Sequence, residues 1–238
     1  MSNLSGKTIL VTGASRGIGR ALKTVCEAAG AAVIAHASGP SENTDESFIF
    51  EDLSQAGAGA RLFETARSRY GHIDGVVNNA GVYLPSPLTG ESWHEGWAVT
   101  MAVNVQAPAD ICRAAIAYFR QSGSGTIINI ASRAGHRGDG VDHAAYAASK
   151  GAVLAMTKTW ARALSGEDIH LYALAPGWVE TRMAPQDIEN RKKAIADIPL
   201  GRVAAPEEVA NMAAFLLSGA CPSAVGATID INGASYVR

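Results

Sequence analysis

A doubly wound α/β fold is predicted by three observations. Apolar, β-branched segments alternate with helical segments along all 238 residues. A strand at 8–12, a glycine turn at 13–19, a helix at 20–29 and a strand at 31–35 form one βαβ unit within about 30 residues. No linker, repeat or low-complexity stretch interrupts this alternation. We therefore predict one parallel sheet with helices on both faces, in a single domain spanning 1–238.

The remaining elements continue the alternation. Further strands are predicted at 47–50, 73–77, 126–131, 169–175 and 227–231, and further helices at 55–70, 93–121, 144–164 and 206–217. Pro108 predicts a bend in the helix at 93–121, because its ring removes a helical hydrogen bond. The segment between the second and third strands is too short for a full helix. Residues 135–142 are predicted to form a glycine-rich loop, and 180–200 a charged insertion of weak helical character.

The composition is typical of a soluble globular protein, with 47% hydrophobic and 18% charged residues. The net charge is −2 and Lys and Arg form no cluster, so neither nucleic acid nor an anionic membrane is an expected partner. No apolar run approaches the roughly 18 residues of a membrane span. The N-terminus shows no signal-peptide pattern, so a cytoplasmic protein is expected.

Cysteine and histidine spacing predicts no metal site. Cys26, Cys112 and Cys221 are far apart and odd in number, which favours buried thiols in a reducing compartment. The six histidines form no H-x-H or H-x-x-x-H group. Each is therefore expected to be a surface or capped residue rather than a ligand.

The glycine turn predicts a nucleotide site. Gly13, Gly17 and Gly19 follow a strand and open a helix. Such glycines allow a tight turn and a close approach of the backbone to a ligand, and the free N–H groups of the helix start suit a pyrophosphate. The spacing is G-x-x-x-G-x-G rather than G-x-G-x-x-G, and the alternative is a tight turn without a ligand.

Tyr146 and Lys150 lie four residues apart on the helix predicted at 144–164, so both side chains share one face. A nearby ammonium favours the phenolate, so the pKa of Tyr146 is expected to fall from about 10 toward neutrality. A tyrosine of that kind can give or take a proton near neutral pH. The alternative is a chance surface pair.

The glycine turn and the tyrosine–lysine pair belong to a longer ordered set. The set consists of Thr12-Gly13-x-x-x-Gly17-x-Gly19, Asn78-Asn-Ala-Gly81, Ser132 after a strand, Tyr146-x-x-x-Lys150 and Pro176-Gly177. Over essentially its whole length, the chain closely resembles the short-chain dehydrogenase/reductase family in its single-domain form. Within that family it looks like the 3-oxoacyl carrier-protein reductase type. The resemblance implies a Rossmann-type fold and a nicotinamide-dependent oxidoreductase acting on a small carbonyl or alcohol substrate.

The resemblance also implies a catalytic set of Asn104, Ser132, Tyr146 and Lys150. Tyr146 is the implied general acid for the carbonyl oxygen, and Lys150 is implied to lower its pKa and hold the nicotinamide ribose. Ser132 is implied to hydrogen-bond the carbonyl oxygen, where charge grows in the transition state. Asn104 matches the asparagine that bends the long helix and orders water toward the lysine.

A cofactor set follows from the same resemblance. It comprises Gly13, Ser15, Arg16, Gly17, Ile18, Gly19, Ser38, Asp52, Leu53, Asn79, Ala80, Gly81, Tyr146, Lys150, Pro176, Gly177, Val179 and Thr181. Asp52 matches the aspartate that contacts the adenine amino group. The segment 176–181 matches the family segment that holds the nicotinamide carboxamide. This match implies that hydride is transferred from the pro-S face of the nicotinamide ring.

The choice of cofactor is expected to favour NADP(H) over NAD(H). No Asp or Glu closes the second strand to hold a ribose 2′-hydroxyl, since the first acid beyond it is Glu42. Arg16 can reach the same place and bind a 2′-phosphate. Ser38 offers a hydroxyl there, and His36 a further donor. No second basic residue follows the strand, so the preference is expected to be modest.

Two other functions are weighed against this one. A non-catalytic nucleotide-binding regulator or scaffold would have no need of all four catalytic side chains. An epimerase or dehydratase of the extended branch would carry a larger C-terminal domain, whereas only 62 residues follow Pro176. The substrate is left open, because its expected walls (132–141, Tyr83 and the insertion at 180–200) are the parts the family determines least.

A homotetramer with dihedral symmetry is expected. Small residues recur on successive turns of the helix predicted at 144–164, namely Ala144, Ala147, Ala148, Gly151, Ala152 and Ala155. Small side chains let another helix approach closely. In the family, this helix and the one that starts near Trp93 pair across a two-fold axis.

Overall fold

The computed structural model describes residues 2–89 and 91–238. Its strands are β1 Thr8–Val11, β2 Ala32–Ala37, β3 Ile49–Phe50, β4 Gly75–Asn78, β5 Gly125–Ile130, β6 Ile169–Pro176 and β7 Thr228–Ile231. They form one parallel sheet in the order β3-β2-β1-β4-β5-β6-β7. The order reverses between β1 and β4, and a cleft forms at the carboxyl ends of strands at such a point. The predicted doubly wound α/β fold is confirmed.

Helices cover both faces of the sheet. They are α1 Gly17–Ala28, α2 Ala58–Tyr70, α3 Trp93–Met101, α4 Ala107–Ser122, α5 Ala134–Arg137, α6 Ala144–Leu164, α7 Ile188–Ala196 and α8 Pro206–Leu217. Helices α1 and α8 pack together on one face, where Leu22 and Val209 join Val11 in one buried cluster. Helices α2 and α4 pack on the other, with Phe63 against Leu10. Adjacent residues of β1 thus point to opposite cores, as the pleat requires.

The long helical run predicted at 93–121 is interrupted one turn before the predicted bend at Pro108. Residues 102–106 form a π-helical turn between α3 and α4. Pro108 is the second residue of α4, where a missing N–H costs little. The turn contains Asn104, whose side chain bonds the backbone of Val82. A π turn of this kind often marks a functional site.

Several other predicted boundaries differ in the structure, including the start of β3 at Ile49 rather than at 47 and the start of α2 at Ala58 rather than at 55. Helix α1 begins at Gly17 rather than at Arg20, because a positive φ of 52° at Gly17 turns the chain directly from the strand into the helix. The predicted loop 135–142 contains α5 and a 3₁₀ turn at Val141–His143. The charged insertion 180–200 contains α7, whose N-cap Asp187 accepts a hydrogen bond from the Asn190 N–H. The segment between β2 and β3 has turns only, as predicted.

Within the described part of the chain, no helix is long and apolar enough to span a membrane. The same residues contain no group of three or more His, Cys, Asp or Glu side chains that would hold a metal ion. Cys26 and Cys112 are buried, and burial raises the pKa of each thiol to about 12. Both are therefore protonated, packed side chains.

Candidate active site

A cleft of about 830 Å³ opens at the carboxyl ends of β1 to β6. Its lining includes every residue of the predicted cofactor set. Of the predicted catalytic set it includes Ser132, Tyr146 and Lys150. Asn104 lies directly behind the lining, since a Cβ added at Gly81 would sit 3.3 Å from its Oδ1. The fold thus gathers the residues of the predicted cofactor set, from Gly13 to Thr181, around one cleft.

The glycine turn is shaped by contacts that larger residues would block. Gly13 and Gly17 have positive φ angles of 66° and 52°. A Cβ at Gly19 would lie 2.0 Å from the Gly13 carbonyl oxygen and 2.6 Å from Nδ2 of Asn79. Only glycine fits this turn, which presents the start of α1 to the cleft. That arrangement fits the pyrophosphate of a dinucleotide.

The segment 78–81 is fastened to this turn through Thr12. The hydroxyl oxygen of Thr12 accepts hydrogen bonds from the backbone N–H groups of Asn79 and Ala80, both at 2.9 Å. Nδ2 of Asn79 donates to the carbonyl oxygen of Thr12 at 2.8 Å. Thr12 is the last residue before the glycine turn and belongs to the family motif. Its role as acceptor for the end of β4 depends on the pairing of β1 with β4 in the sheet.

Tyr146 and Lys150 lie one turn apart at the start of α6, as predicted. Nζ of Lys150 is 5.7 Å from the centroid of the Tyr146 ring and donates to the carbonyl oxygen of Ile130 at 2.9 Å. This bond ties the lysine to the end of β5. Ser132 follows two residues later, so β5 and α6 bring the three side chains to one end of the cleft.

The protonation of this pair differs from the expected one. Burial raises the pKa of Tyr146 to about 12, with a hydrogen bond to Ser132 lowering it and the carboxylate of Asp139 adding to the rise. Burial lowers the pKa of Lys150 to about 8. The prediction that Lys150 draws the tyrosine pKa toward neutrality is therefore wrong for this site, because desolvation outweighs the distant cation. Tyr146 is held as a protonated phenol, ready to donate.

Asn104 is held by three hydrogen bonds. Its Oδ1 accepts from the Val82 N–H at 2.8 Å, and its Nδ2 donates to the Val82 carbonyl oxygen at 2.9 Å and to Oγ of Ser149 at 3.1 Å. The Ser149 hydroxyl donates in turn to the Tyr146 carbonyl oxygen at 2.7 Å. Both donors of the amide are used, so hydrogen bonds join the π turn to α6. The sequence analysis missed Ser149, although a serine three residues after Tyr146 can bond back to its carbonyl.

The substrate side of the cleft has aromatic walls. The Tyr83 ring stacks on His143 at 4.0 Å and meets Tyr146 edge-on at 4.8 Å and Trp178 at 6.1 Å, between ring centroids. Val99 and Val103 add apolar surface. The predicted substrate walls that line the cleft are Tyr83, 132–134 and 137–139. Within the charged insertion at 180–200, only residues 181–184 line it.

The opposite end of the cleft is polar and exposed. We call it the adenosine end and define it by Arg16, Ser38 and Asp52, whose side chains line the cleft at the carboxyl ends of β1, β2 and β3. Asp52 accepts hydrogen bonds from the Ser54 N–H at 3.0 Å and from Gln55 at 3.2 Å, and the bonds with Ser54 contribute most to lowering its pKa. A carboxylate in this position suits an amino group such as that of adenine.

His36 does not supply the predicted donor for a 2′-phosphate. Its Nδ1 accepts from the Gly13 N–H at 3.2 Å, and its Nε2 lies 2.9 Å from the Glu51 carbonyl oxygen. Both ring nitrogens are therefore occupied by backbone groups. The side chain is 1% exposed. The donors available for a phosphate at this end are therefore Arg16 and Ser38.

Known proteins that are similar to this chain in sequence include several reductases. Residues 13–234 match the family model described as enoyl-(acyl carrier protein) reductase. The chain is 35% identical to 3-oxoacyl-[acyl-carrier-protein] reductase of Thermotoga maritima, over 97% of this chain and 98% of that protein. It is 34% identical to the Escherichia coli K12 protein of the same name, over 99% of each.

Two solved structures have folds similar to that of this chain. A 3-oxoacyl (acyl-carrier-protein) reductase from Agrobacterium tumefaciens C58, with NADP bound, superposes with a TM-score of 0.89 at 32% identity, covering 97% of this chain and 95% of that one. A putative NAD(P)-dependent gluconate 5-dehydrogenase from Beutenbergia cavernae, with NADP at low occupancy, has a TM-score of 0.89 at 34% identity, covering 97% of each chain. Both are similar to this chain over nearly its full length.

Proposed function

The chain belongs to the short-chain dehydrogenase/reductase family, and we propose that it uses NADP(H) to interconvert a ketone and a secondary alcohol. The observation that carries the proposal is the convergence of Ser132, Tyr146 and Lys150 on one end of the cleft that begins at the glycine turn. We propose the same catalytic and cofactor sets that the sequence predicted, with one nucleotide-binding domain spanning 1–238.

The roles of the side chains follow from their contacts. When bound, the nicotinamide supplies or accepts the hydride. In reduction, the protonated phenol of Tyr146 donates its proton to the oxygen of the substrate carbonyl. Ser132 lines the same end of the cleft as that phenol and lowers its pKa, so we expect its hydroxyl to stabilise charge on the same oxygen. Lys150 is held by Ile130 with a positive charge below pH about 8, beside the forming alcoholate.

Preference for NADP(H) is supported by the adenosine end. Arg16 is exposed and lines the cleft, as does Ser38, and β2 ends at Ala37 without a carboxylate. A 2′-phosphate would gain a charge-assisted bond there. Glu42 also lines the cleft, which keeps the expected preference modest. The two similar solved proteins carry NADP.

A ketone is favoured over a carbon–carbon double bond as the reacting group. The matching family model is described as an enoyl reductase, whereas both curated relatives are 3-oxoacyl reductases. Proton donation from Tyr146 and hydrogen bonding from Ser132 converge on one point, which suits a carbonyl oxygen. The aromatic walls around Tyr83 suit a substrate with apolar groups next to that carbonyl.

We propose a soluble, cytoplasmic homotetramer. The face of α6 that carries the small residues is partly exposed in the single chain, and Trp93 and Trp97 stack beside it on α3 at 5.3 Å. Both helices would be covered by a second copy across a two-fold axis. Light scattering at micromolar concentration should give four times the chain mass of 24.7 kDa. A monomeric mass would contradict this assembly.

The deciding experiment is a substrate panel followed at the nicotinamide absorbance with NADPH and NADH. The panel contains a 3-oxoacyl thioester, an enoyl thioester, cyclic and polyol ketones, and the matching alcohols. Turnover of ketones or alcohols, faster with NADPH, is expected. Turnover of the enoyl thioester alone would move the function to double-bond reduction. Cofactor binding without turnover of any member would favour the non-catalytic regulator.

A further inference from the structure

His36 connects two parts of the cleft that are distant in sequence. It lies near the end of β2 and is 1% exposed. Its Nδ1 accepts a hydrogen bond from the N–H of Gly13, the first residue of the glycine turn. Its Nε2 bonds the carbonyl oxygen of Glu51, the residue immediately before Asp52. One imidazole thus bridges the pyrophosphate side and the adenine side of the cleft.

These partners define the state of the ring. The Gly13 N–H can only donate and the Glu51 carbonyl can only accept, so His36 must carry its proton on Nε2 and none on Nδ1. Burial lowers the pKa of His36, which agrees with a neutral ring. Both polar atoms of the buried side chain are therefore satisfied by backbone groups, and neither is left for a ligand.

The bridge strengthens a weakly paired edge of the sheet. Strand β3 contains only Ile49 and Phe50, which pair with His36 and Ala37. The backbone adds a bond from the Ala14 N–H to the His36 carbonyl oxygen at 2.8 Å. An edge strand of two residues has few ladder bonds to hold the segment after it. Besides the backbone bond from the Glu51 N–H to the Ala37 carbonyl oxygen at 3.2 Å, the side chain of His36 gives a direct link between the glycine turn and the residue before Asp52.

We infer that His36 is a positioning residue for cofactor binding, which holds the glycine turn and the Asp52 segment at the spacing that one dinucleotide requires. The inference rests on the proposed function, since it assumes that NADP(H) occupies the cleft. It predicts that loss of the bridge weakens cofactor binding while leaving the rate at saturating cofactor unchanged. The proposed catalytic side chains lie on the π turn at 102–106, just after β5 and on α6, and neither side-chain hydrogen bond of His36 reaches these segments.

Three substitutions separate the two bonds of the bridge. The Asn amide reaches the position of Nδ1, so His36→Asn keeps an acceptor for Gly13 and loses Glu51. The Gln amide reaches the position of Nε2, so His36→Gln keeps a donor for Glu51 and loses Gly13. His36→Leu loses both. Ile34→Val is the matched control, because Ile34 is a fully buried neighbour on β2 that does not line the cleft.

The dissociation constants of NADPH, ADP and 5′-AMP are measured by calorimetry, together with the melting temperature and the steady-state constants. Each lost hydrogen bond is expected to weaken NADPH about five- to tenfold. His36→Asn should weaken 5′-AMP, which probes the Asp52 side. ADP is expected to bind more tightly than 5′-AMP because its second phosphate reaches the glycine turn. His36→Gln should reduce this difference in affinity. The KM for NADPH should rise with kcat unchanged, whereas Ile34→Val should lower only the melting temperature.

The outcomes discriminate between two failures. If wild-type protein binds neither NADPH nor NADH, the proposed function is overturned and this inference with it. If wild-type protein binds NADPH and the folded His36 variants bind it equally well, only the positioning role is overturned. Should His36→Leu fail to fold, His36→Asn and His36→Gln decide the question. If His36→Asn and His36→Gln bind NADPH, ADP and 5′-AMP as tightly as the wild-type protein does, the role of His36 is purely structural.

Discussion

The two ends of the cleft are built in different ways. At the catalytic end, Asn104 and Lys150 are 1% and 4% exposed, and each is held by hydrogen bonds to the backbone. At the adenosine end, Arg16 and Ser38 are exposed side chains on loops. Between the two ends lies the glycine turn, where a single added carbon would collide with backbone.

The difference reflects what each end must do. Proton transfer and stabilisation of a growing charge require donors fixed to within a fraction of an ångström, so the catalytic groups lie on elements that are locked together. Recognition of a phosphate by an exposed guanidinium tolerates a longer reach and adapts to a mobile side chain. Substitutions at the catalytic end should therefore abolish turnover, and those at the adenosine end should only change the choice of cofactor.

The strongest test of the catalytic end is Tyr146→Phe. Phenylalanine keeps the ring that packs against Tyr83 and removes only the hydroxyl group, and with it the proton. We expect kcat to fall by about 10²–10⁴-fold with NADPH affinity retained. Tyr118→Phe, on the exposed side of α4, is the control and should keep the full rate. If Tyr146→Phe retains more than about a tenth of the wild-type rate, Tyr146 is not the general acid.

A substitution in the glycine turn should affect both ends at once. In Gly19→Ala, the new Cβ would lie 2.0 Å from the Gly13 carbonyl oxygen. Overpacking of this kind costs typically about 1–3 kcal/mol or more, so we expect a lower melting temperature and at least tenfold weaker NADPH binding. A Cβ at Gly39, on the open loop after β2, would meet nothing within 4 Å. Equal melting temperatures for Gly19→Ala and Gly39→Ala would contradict the tight packing of the turn.

The pH dependence of the rate should report on Lys150. Burial lowers its pKa to about 8, so the ammonium is charged below that pH and neutral above it. The value of kcat/KM should therefore fall as the pH rises above about 8, by up to about tenfold per pH unit. Lys150→Arg keeps its charge at all accessible pH values, so its profile should lack this fall whatever its remaining rate. A wild-type profile that is flat from pH 7 to 10 would exclude the assignment.

The smallest expected effect belongs to the adenosine end. Arg16→Ala should weaken NADPH about tenfold, since a charge-assisted hydrogen bond to an exposed phosphate is lost, and should leave NADH unchanged. Arg20, the next arginine along the chain, is outside the cleft lining and donates to Asn43 at 3.4 Å. Arg20→Ala should keep the ratio of the two affinities. Equal loss of NADPH and NADH in Arg16→Ala would show that no phosphate site exists there.

Local patterns in the sequence were sufficient for the fold class and for the placement of the motifs. The bounds of α6 and α8 were predicted to the residue, because apolar periodicity and an initial proline act within a few turns. The glycine turn and the Tyr146–Lys150 pair are likewise local. Their ordered spacing identified the family and, through it, the residues that line the cleft.

Contacts between distant residues were decided only by the tertiary structure. The partners of His36 lie 23 and 15 residues away, and its predicted role as a phosphate donor was wrong because both its nitrogens are taken by backbone groups. The π turn at Asn104 depends on Val82, 22 residues earlier.

Burial likewise reversed the expected pKa of Tyr146, since the cost of desolvation depends on everything that packs around the phenol. A sequence determines which groups are present and how neighbours along the chain are arranged. The packing of the sheet and helices determines which groups lose water and which distant atoms they meet.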